Sequence, residues 1–134
     1  VGNTKLIQEA LKARELSYSP YSKFKVGAAI LTKDDRIFYG ANIENASYSL
    51  CICAERNALY NAYMNGYKRE DIVAMALVAD TKNPVSPCGA CRQVMSELML
   101  PNTPIYMGSV QKKVAIKTTT PHELLPFAFD GGDF

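Results

Sequence analysis

SLCICAERNALY, Ser49 to Tyr60, holds two of the chain's four cysteines, then a glutamate, an arginine and a run of small and apolar residues. Ala54, Ala58, Leu59 and Ala62 recur at helical spacing, and Asn65-Gly66 stops the pattern, which predicts a helix opening at Cys53. The other two cysteines lie in SPCGACRQV, Ser86 to Val94, where a second helix is predicted from near Cys88 to just before Pro101. Both clusters therefore stand at helix starts. A helix N-terminus presents unpaired N–H groups and a partial positive charge, and both favour thiolate, the metal-binding form of cysteine.

Outward from these helices the chain alternates. Leu6, Ile7, Ala10, Leu11 and Ala13 predict an amphipathic helix from Thr4 to about Leu16, and SYSPYS with Pro20 breaks it. FKVGAAIL (Phe24 to Leu31) reads as a strand, TKDDR as a hairpin turn and RIFYGANI as the returning strand. DIVAMALVA (Asp71 to Ala79) is a buried strand, TPIYMG and KVAIKT are two more, and PHELLPFAF is a short terminal helix. Strands alternating with helices predict an α/β fold: a three-layer α/β/α sandwich around a mixed sheet of about five strands. Residues 1–134 read as one domain, with no repeat, linker or low-complexity segment.

The bulk numbers exclude several classes. A net charge of +2 from 15 basic and 13 acidic residues, scattered rather than striped, argues against nucleic-acid binding. No apolar run has the length of a membrane span, and the charged amphipathic start is unlike a signal peptide. The four cysteines then read as reduced thiols of a cytoplasmic protein rather than as disulfides.

Cys88 and Cys91 form a C-x-x-C pair suited to one tetrahedral zinc, and Cys53 is a candidate third sulfur. Three protein ligands with one open position make a catalytic zinc site, whereas four cysteines would close a structural one, and local spacing alone allows either. Glu55, two residues past Cys53, is a candidate proton shuttle beside such a metal. Taken alone, such a residue is more often a solvated helix-start carboxylate, which the dipole favours.

Cys53-Ala54-Glu55 followed by Pro87-Cys88-Gly89-Ala90-Cys91 is the zinc deaminase signature in its three-cysteine version. The chain resembles the small homotetrameric zinc-dependent cytidine deaminases. The resemblance runs from EALKAR through PYSKFKVGAAI, NIENASYSLCICAER and PVSPCGACRQV to ELLPFAF. It implies zinc, one per chain, held by Cys53, Cys88 and Cys91, and hydrolytic deamination of free cytidine and 2′-deoxycytidine to the uridines with release of ammonia. Glu55 would move protons from the attacking water to ring N3 and the leaving group. Cys51 lies outside the motif and reads as a spare thiol.

The resemblance further implies that Asn42 and Glu44 hold the sugar 3′-hydroxyl, that Phe24 packs on the base and that the Ala54 N–H meets the base carbonyl. Ala46, Tyr48 and Phe129 would complete a neighbouring subunit's pocket in a homotetramer, although Phe127 stands where a small residue is common. Three thiolates overcompensate the charge of zinc, so Arg56 is expected to hydrogen-bond the ligand sulfurs, with Gln93 as a further candidate and Arg92 in a structural or interfacial role. Two rivals remain at this level. A deaminase of the blasticidin S type shares the cysteine motifs but should lack the NIEN segment. A non-catalytic zinc scaffold gives no reason for Glu55, Asn42 or Glu44.

Overall fold

The computed structural model describes residues 2–111 and 116–132. Helix α1 (Asn3–Arg14) is followed by strands β1 (Val26–Thr32) and β2 (Ile37–Ala41), helix α2 (Ala54–Met64), strand β3 (Ile72–Ala79), helix α3 (Gly89–Leu98), strands β4 (Ile105–Ser109) and β5 (Lys117–Thr119), and helix α4 (Pro121–Leu124). The strands form one sheet in the order β2-β1-β3-β4-β5. β3 and β4 are parallel and the other pairs antiparallel, so the sheet is mixed as expected.

The three layers follow from the period-2 alternation of β1 and β3. Ala29, Leu31, Ala74, Ala76 and Val78 pack with Leu6 and Ala10 of α1 on one face. Ala28, Ile30, Met75 and Leu77 pack with Ala54, Ala58, Leu59 and Ala62 of α2 and Cys91 and Met95 of α3 on the other. Because β3 is covered on both faces, it is an almost continuous apolar run, as central strands of such sheets are.

The β1–β2 turn places Asp35 at φ 63°, and Thr32 Oγ1 donates to Asp34 Oδ1 at 2.5 Å. α1 ends two residues before the expected Leu16. The terminal helix departs further from expectation: it stops at Leu124 instead of running to Phe129. Pro126 disfavours helical backbone at Leu125, which leaves the helix at φ −141° and ψ 75°, and Phe127 then turns at φ 57°. The expected strand KVAIKT lies partly outside the described residues, and β5 occupies Lys117–Thr119. No helix among the described residues is long and apolar enough to cross a membrane.

Two glycines set the spacing of the layers. A Cβ on Gly27 would lie 2.1 Å from the Ala10 carbonyl oxygen of α1. A Cβ on Gly40 would lie 2.3 Å from both the Ala54 oxygen and the Ala58 nitrogen of α2. These are backbone atoms of packed helices and cannot swing aside. Gly40→Ala is therefore expected to lower the unfolding free energy by about 1–3 kcal/mol or more, the usual cost of overpacking. Gly2→Ala, with no atom within 4 Å of the new carbon, should unfold at the wild-type urea midpoint. Equal midpoints for all three proteins would show that α2 can lift off the sheet freely.

Candidate metal and active site

Cys53 is the N-cap of α2 and Cys88 the N-cap of α3, and Cys91 lies one turn into α3. The Cys53 and Cys88 sulfurs are 3.7 Å apart, those of Cys88 and Cys91 3.4 Å, and all three lie within 4.8 Å of one another. Two sulfurs bound to one tetrahedral zinc at about 2.3 Å would be about 3.8 Å apart. Donor type and spacing thus fit a single zinc ion. Cys51 is not in this cluster. Its sulfur accepts from the Asn45 N–H at 3.3 Å and donates to the Asn45 carbonyl at 3.6 Å.

Charge is arranged around the sulfurs. Arg56 Nη2 donates to Cys53 Sγ at 3.5 Å, and contact with Cys53 and Cys91 holds the guanidinium above its ordinary value. Hydrogen bonds to the Cys53 sulfur, from Cys91 first and then from Arg56 and Cys88, bring that thiol down to about 5 in spite of its burial. Cys91 is pushed up, chiefly by sharing its proton with Cys53 and by burial. Glu55, in the first turn of α2, is only 4% exposed. Burial pushes its carboxyl up to about 7, with the nearby Cys53 sulfur adding to the rise.

The NIEN segment reaches this cluster by backbone pairing. Ile43 and Ile52 exchange both backbone hydrogen bonds at 3.0 Å in an antiparallel bridge. Asn42 and Glu44 flank one side of that bridge, and Cys53 and Cys51 flank the other. A cavity of about 200 Å³ is lined by Tyr21, Ser22, Glu44, Tyr48 and Cys51. Phe24 is partly exposed beside it in sequence, and Ala54 provides one of the helix N–H groups that have no intrahelical acceptor.

The remaining expected residues have definite partners. Asn42 Nδ2 donates to the Phe24 carbonyl at 2.7 Å, and Asn42 Oδ1 accepts from Val26 N–H at 2.9 Å and Ser17 Oγ at 2.5 Å. Glu44 Oε1 accepts from the Tyr21 and Ser22 N–H groups, both at 3.1 Å, and Oε2 accepts from the Ser22 hydroxyl. Gln93 donates to the Phe129 carbonyl at 2.9 Å rather than to a ligand sulfur, tying α3 to the C-terminal segment. Arg92 is structural as expected, donating to the Pro87 and Leu124 carbonyls and to Ser86 Oγ. Tyr48 is exposed and meets Tyr21 edge-on at 6.4 Å, and Ala46 and Phe129 are exposed. Ser17, Tyr21 and Ser22 were not singled out from the sequence. Their only signal was a hydroxyl-rich stretch around Pro20, which reads as a helix break.

Comparison with known proteins agrees with this geometry. The family model of the cytidine and deoxycytidylate deaminase zinc-binding region matches residues 2–107. The chain is 58% identical over 128 residues to a cytidine deaminase of Halalkalibacterium halodurans, covering 96% of this chain and 94% of that one. It is 50% identical over 129 residues to a cytidine deaminase of Sporosarcina psychrophila, covering 96% and 92%. The crystal structure of cytidine deaminase from Burkholderia pseudomallei superposes with a TM-score of 0.93 at 47% identity, covering 96% of this chain and all of that one. With three sulfurs at zinc spacing, a buried carboxyl beside them and kinship over nearly its whole length, the chain belongs to the zinc-dependent cytidine deaminase family.

Proposed function

We propose that this protein hydrolytically deaminates free cytidine and 2′-deoxycytidine to uridine and 2′-deoxyuridine, releasing ammonia, as a cytoplasmic step of pyrimidine salvage. The observation that carries the reading is the buried Glu55 carboxyl directly after the N-cap thiol of a three-sulfur cluster. Cys53, Cys88 and Cys91 would hold zinc, which supplies a Lewis acid that makes water nucleophilic near neutral pH. A Glu55 carboxyl that titrates near 7 can both accept and return a proton at working pH. It takes one proton from the attacking water and delivers it to ring N3, then takes the remaining proton from the new C4 hydroxyl as the carbonyl forms and passes it to the departing amino group. Arg56 donates to Cys53 Sγ and withdraws charge from a ligand set of three thiolates.

The family name spans nucleosides and nucleotides, and the lining of the cavity favours the former. Tyr21, Ser22, Glu44, Tyr48 and Cys51 include one carboxylate and, among these five, no cation to meet a phosphate. Glu44 accepts from a free 3′-hydroxyl with Asn42 beside it, and it repels a 3′-phosphate. Polynucleotides, whose internal 3′-oxygens are esterified, are poor substrates on that ground. Phe24 packs on the base and the Ala54 N–H meets its carbonyl.

The whole chain acts as one catalytic domain, and four copies assemble with shared active sites. Tyr48, Leu50, Phe127 and Phe129 are apolar and exposed around the loop before α2 and after α4. Surfaces of this kind usually mark an interface. Sedimentation should give the mass of four chains, and a fully active monomer at assay concentration would contradict the assembly.

Incubation with cytidine, followed by absorbance and by ammonia release, tests the activity directly, and absence of both from zinc-loaded protein would refute it. Glu55→Gln is expected to retain zinc and to lose about 10²–10⁴-fold or more in turnover, since this carboxyl serves several proton transfers. The same substitution should raise the stability of the metal-free protein at alkaline pH. The folded-state value of Glu55 lies above its ordinary 4.5, so its stabilising contribution is full below pH 4.5 and is lost as pH rises through about 7. At pH 8 metal-free Glu55→Gln should exceed wild type by up to about 3 kcal/mol, and the difference should vanish near pH 4.5. A pH-independent difference in urea midpoints would remove Glu55 as its source.

Cys51→Ala should keep one zinc per chain by elemental analysis, and Cys53→Ala should not, because only Cys53 lies with Cys88 and Cys91. Zinc loss from Cys51→Ala would instead indicate a four-sulfur structural site.

A further inference from the structure

We propose that Ser22 is a positioning residue that fixes the Glu44 carboxylate for the sugar 3′-hydroxyl. The proposal rests on the reading of Glu44 as the 3′-hydroxyl acceptor. A serine hydroxyl has one donor and two acceptor sites. The donor of Ser22 goes to Glu44 Oε2, and the oxygen accepts the Phe24 N–H at 3.0 Å. One atom therefore links the residue that would grip the sugar to the backbone of the residue that would pack on the base.

The rest of the segment is built around the same contact. The Tyr21 and Ser22 N–H groups converge on the other Glu44 oxygen at 3.1 Å. A carboxylate offers about four lone-pair directions, so these three donors leave one for a further hydroxyl. The donors also hold Glu44 below the usual carboxylate range, with the Ser22 hydroxyl as the largest influence, so the group stays an acceptor throughout the working range. Between Ser22 and Phe24, Lys23 sits at φ 61°, a conformation that a lysine seldom adopts unless its surroundings hold it. Its N–H donates to the Ser19 carbonyl at 3.0 Å, and the Ser22–Glu44 contact anchors the preceding residue. Asn42 closes the frame from the far side through the Phe24 carbonyl. Removing the Ser22 hydroxyl leaves the two backbone donors in place, so the segment should still fold while the carboxylate gains freedom about its terminal bonds.

Steady-state kinetics with cytidine and 3′-deoxycytidine test this on zinc-loaded wild type, Ser22→Ala, Ser22→Thr and Glu44→Ala. Ser22→Ala is expected to raise KM for cytidine about tenfold, the order of one hydrogen bond to a charged group, with kcat and the KM for 3′-deoxycytidine changed by less than about twofold. Ser22→Thr, which keeps the hydroxyl, should recover most of the cytidine affinity. A loss that falls equally on both substrates, an unchanged KM for cytidine, or a threonine variant as weak as alanine would overturn the positioning role. Glu44→Ala separates the two levels. If it affects both substrates alike, the reading of Glu44 itself fails. If it penalises cytidine alone while Ser22→Ala does not, only the role of Ser22 fails.

Discussion

Gly40 lets the first turn of α2 rest on β2 with backbone against backbone. A side-chain carbon there would stand 2.3 Å from the Ala54 oxygen and the Ala58 nitrogen and only 2.7 Å from the Ala58 methyl. The rest of the site depends on this approach, because Cys53, Ala54, Glu55 and Arg56 are consecutive residues at the end of that helix. Asn57, one residue later, ties the same turn to the sheet through the Ala41 carbonyl at 2.8 Å. With α2 seated in this way on one part of the sheet and α3 following β3, the two helix starts bring three sulfurs within 4.8 Å.

That convergence has an electrostatic cost, which the site meets with its own groups. Burial disfavours ionisation of the Glu55 carboxyl and the Cys91 thiol, and both are pushed upward. Arg56 stands against the helix dipole at the start of α2, where a cation is unfavourable. Its contact with the Cys53 sulfur explains the placement. A metal cation completes the balance, and the conflict between burial and ionisation is what gives Glu55 a proton affinity useful near neutrality.

The surroundings of Asn42 and Glu44 are organised by hydrogen bonds rather than by burial. Ser17, Tyr21, Ser22, Phe24 and Val26 all bond to the side chains of Asn42 or Glu44 or, for Phe24, also to Ser22. Two side chains of one short segment thus define the path of the chain between α1 and β1. These bonds tie an exposed, irregular connection to the segment that follows β2.

The sequence by itself determined the layers and the metal. Period-2 and period-3.6 patterns place β1, β3, α1 and α2, and Cys-Ala-Glu with Pro-Cys-x-x-Cys marks the candidate ligands as a family signature where local spacing alone leaves three sulfurs or four open. The last helix was overextended because its apolar spacing continues past Leu124, whereas Pro126 acts on the backbone of the residue before it. Only the tertiary structure decided that Gln93 turns to the Phe129 carbonyl. It alone decided that SYSPYS, a mere helix break in sequence, supplies the donors around Glu44. Local patterns fix which residues can bond, whereas contacts between residues more than twenty positions apart depend on where the sheet and its connections bring them, and no periodicity in a linear chain encodes that meeting.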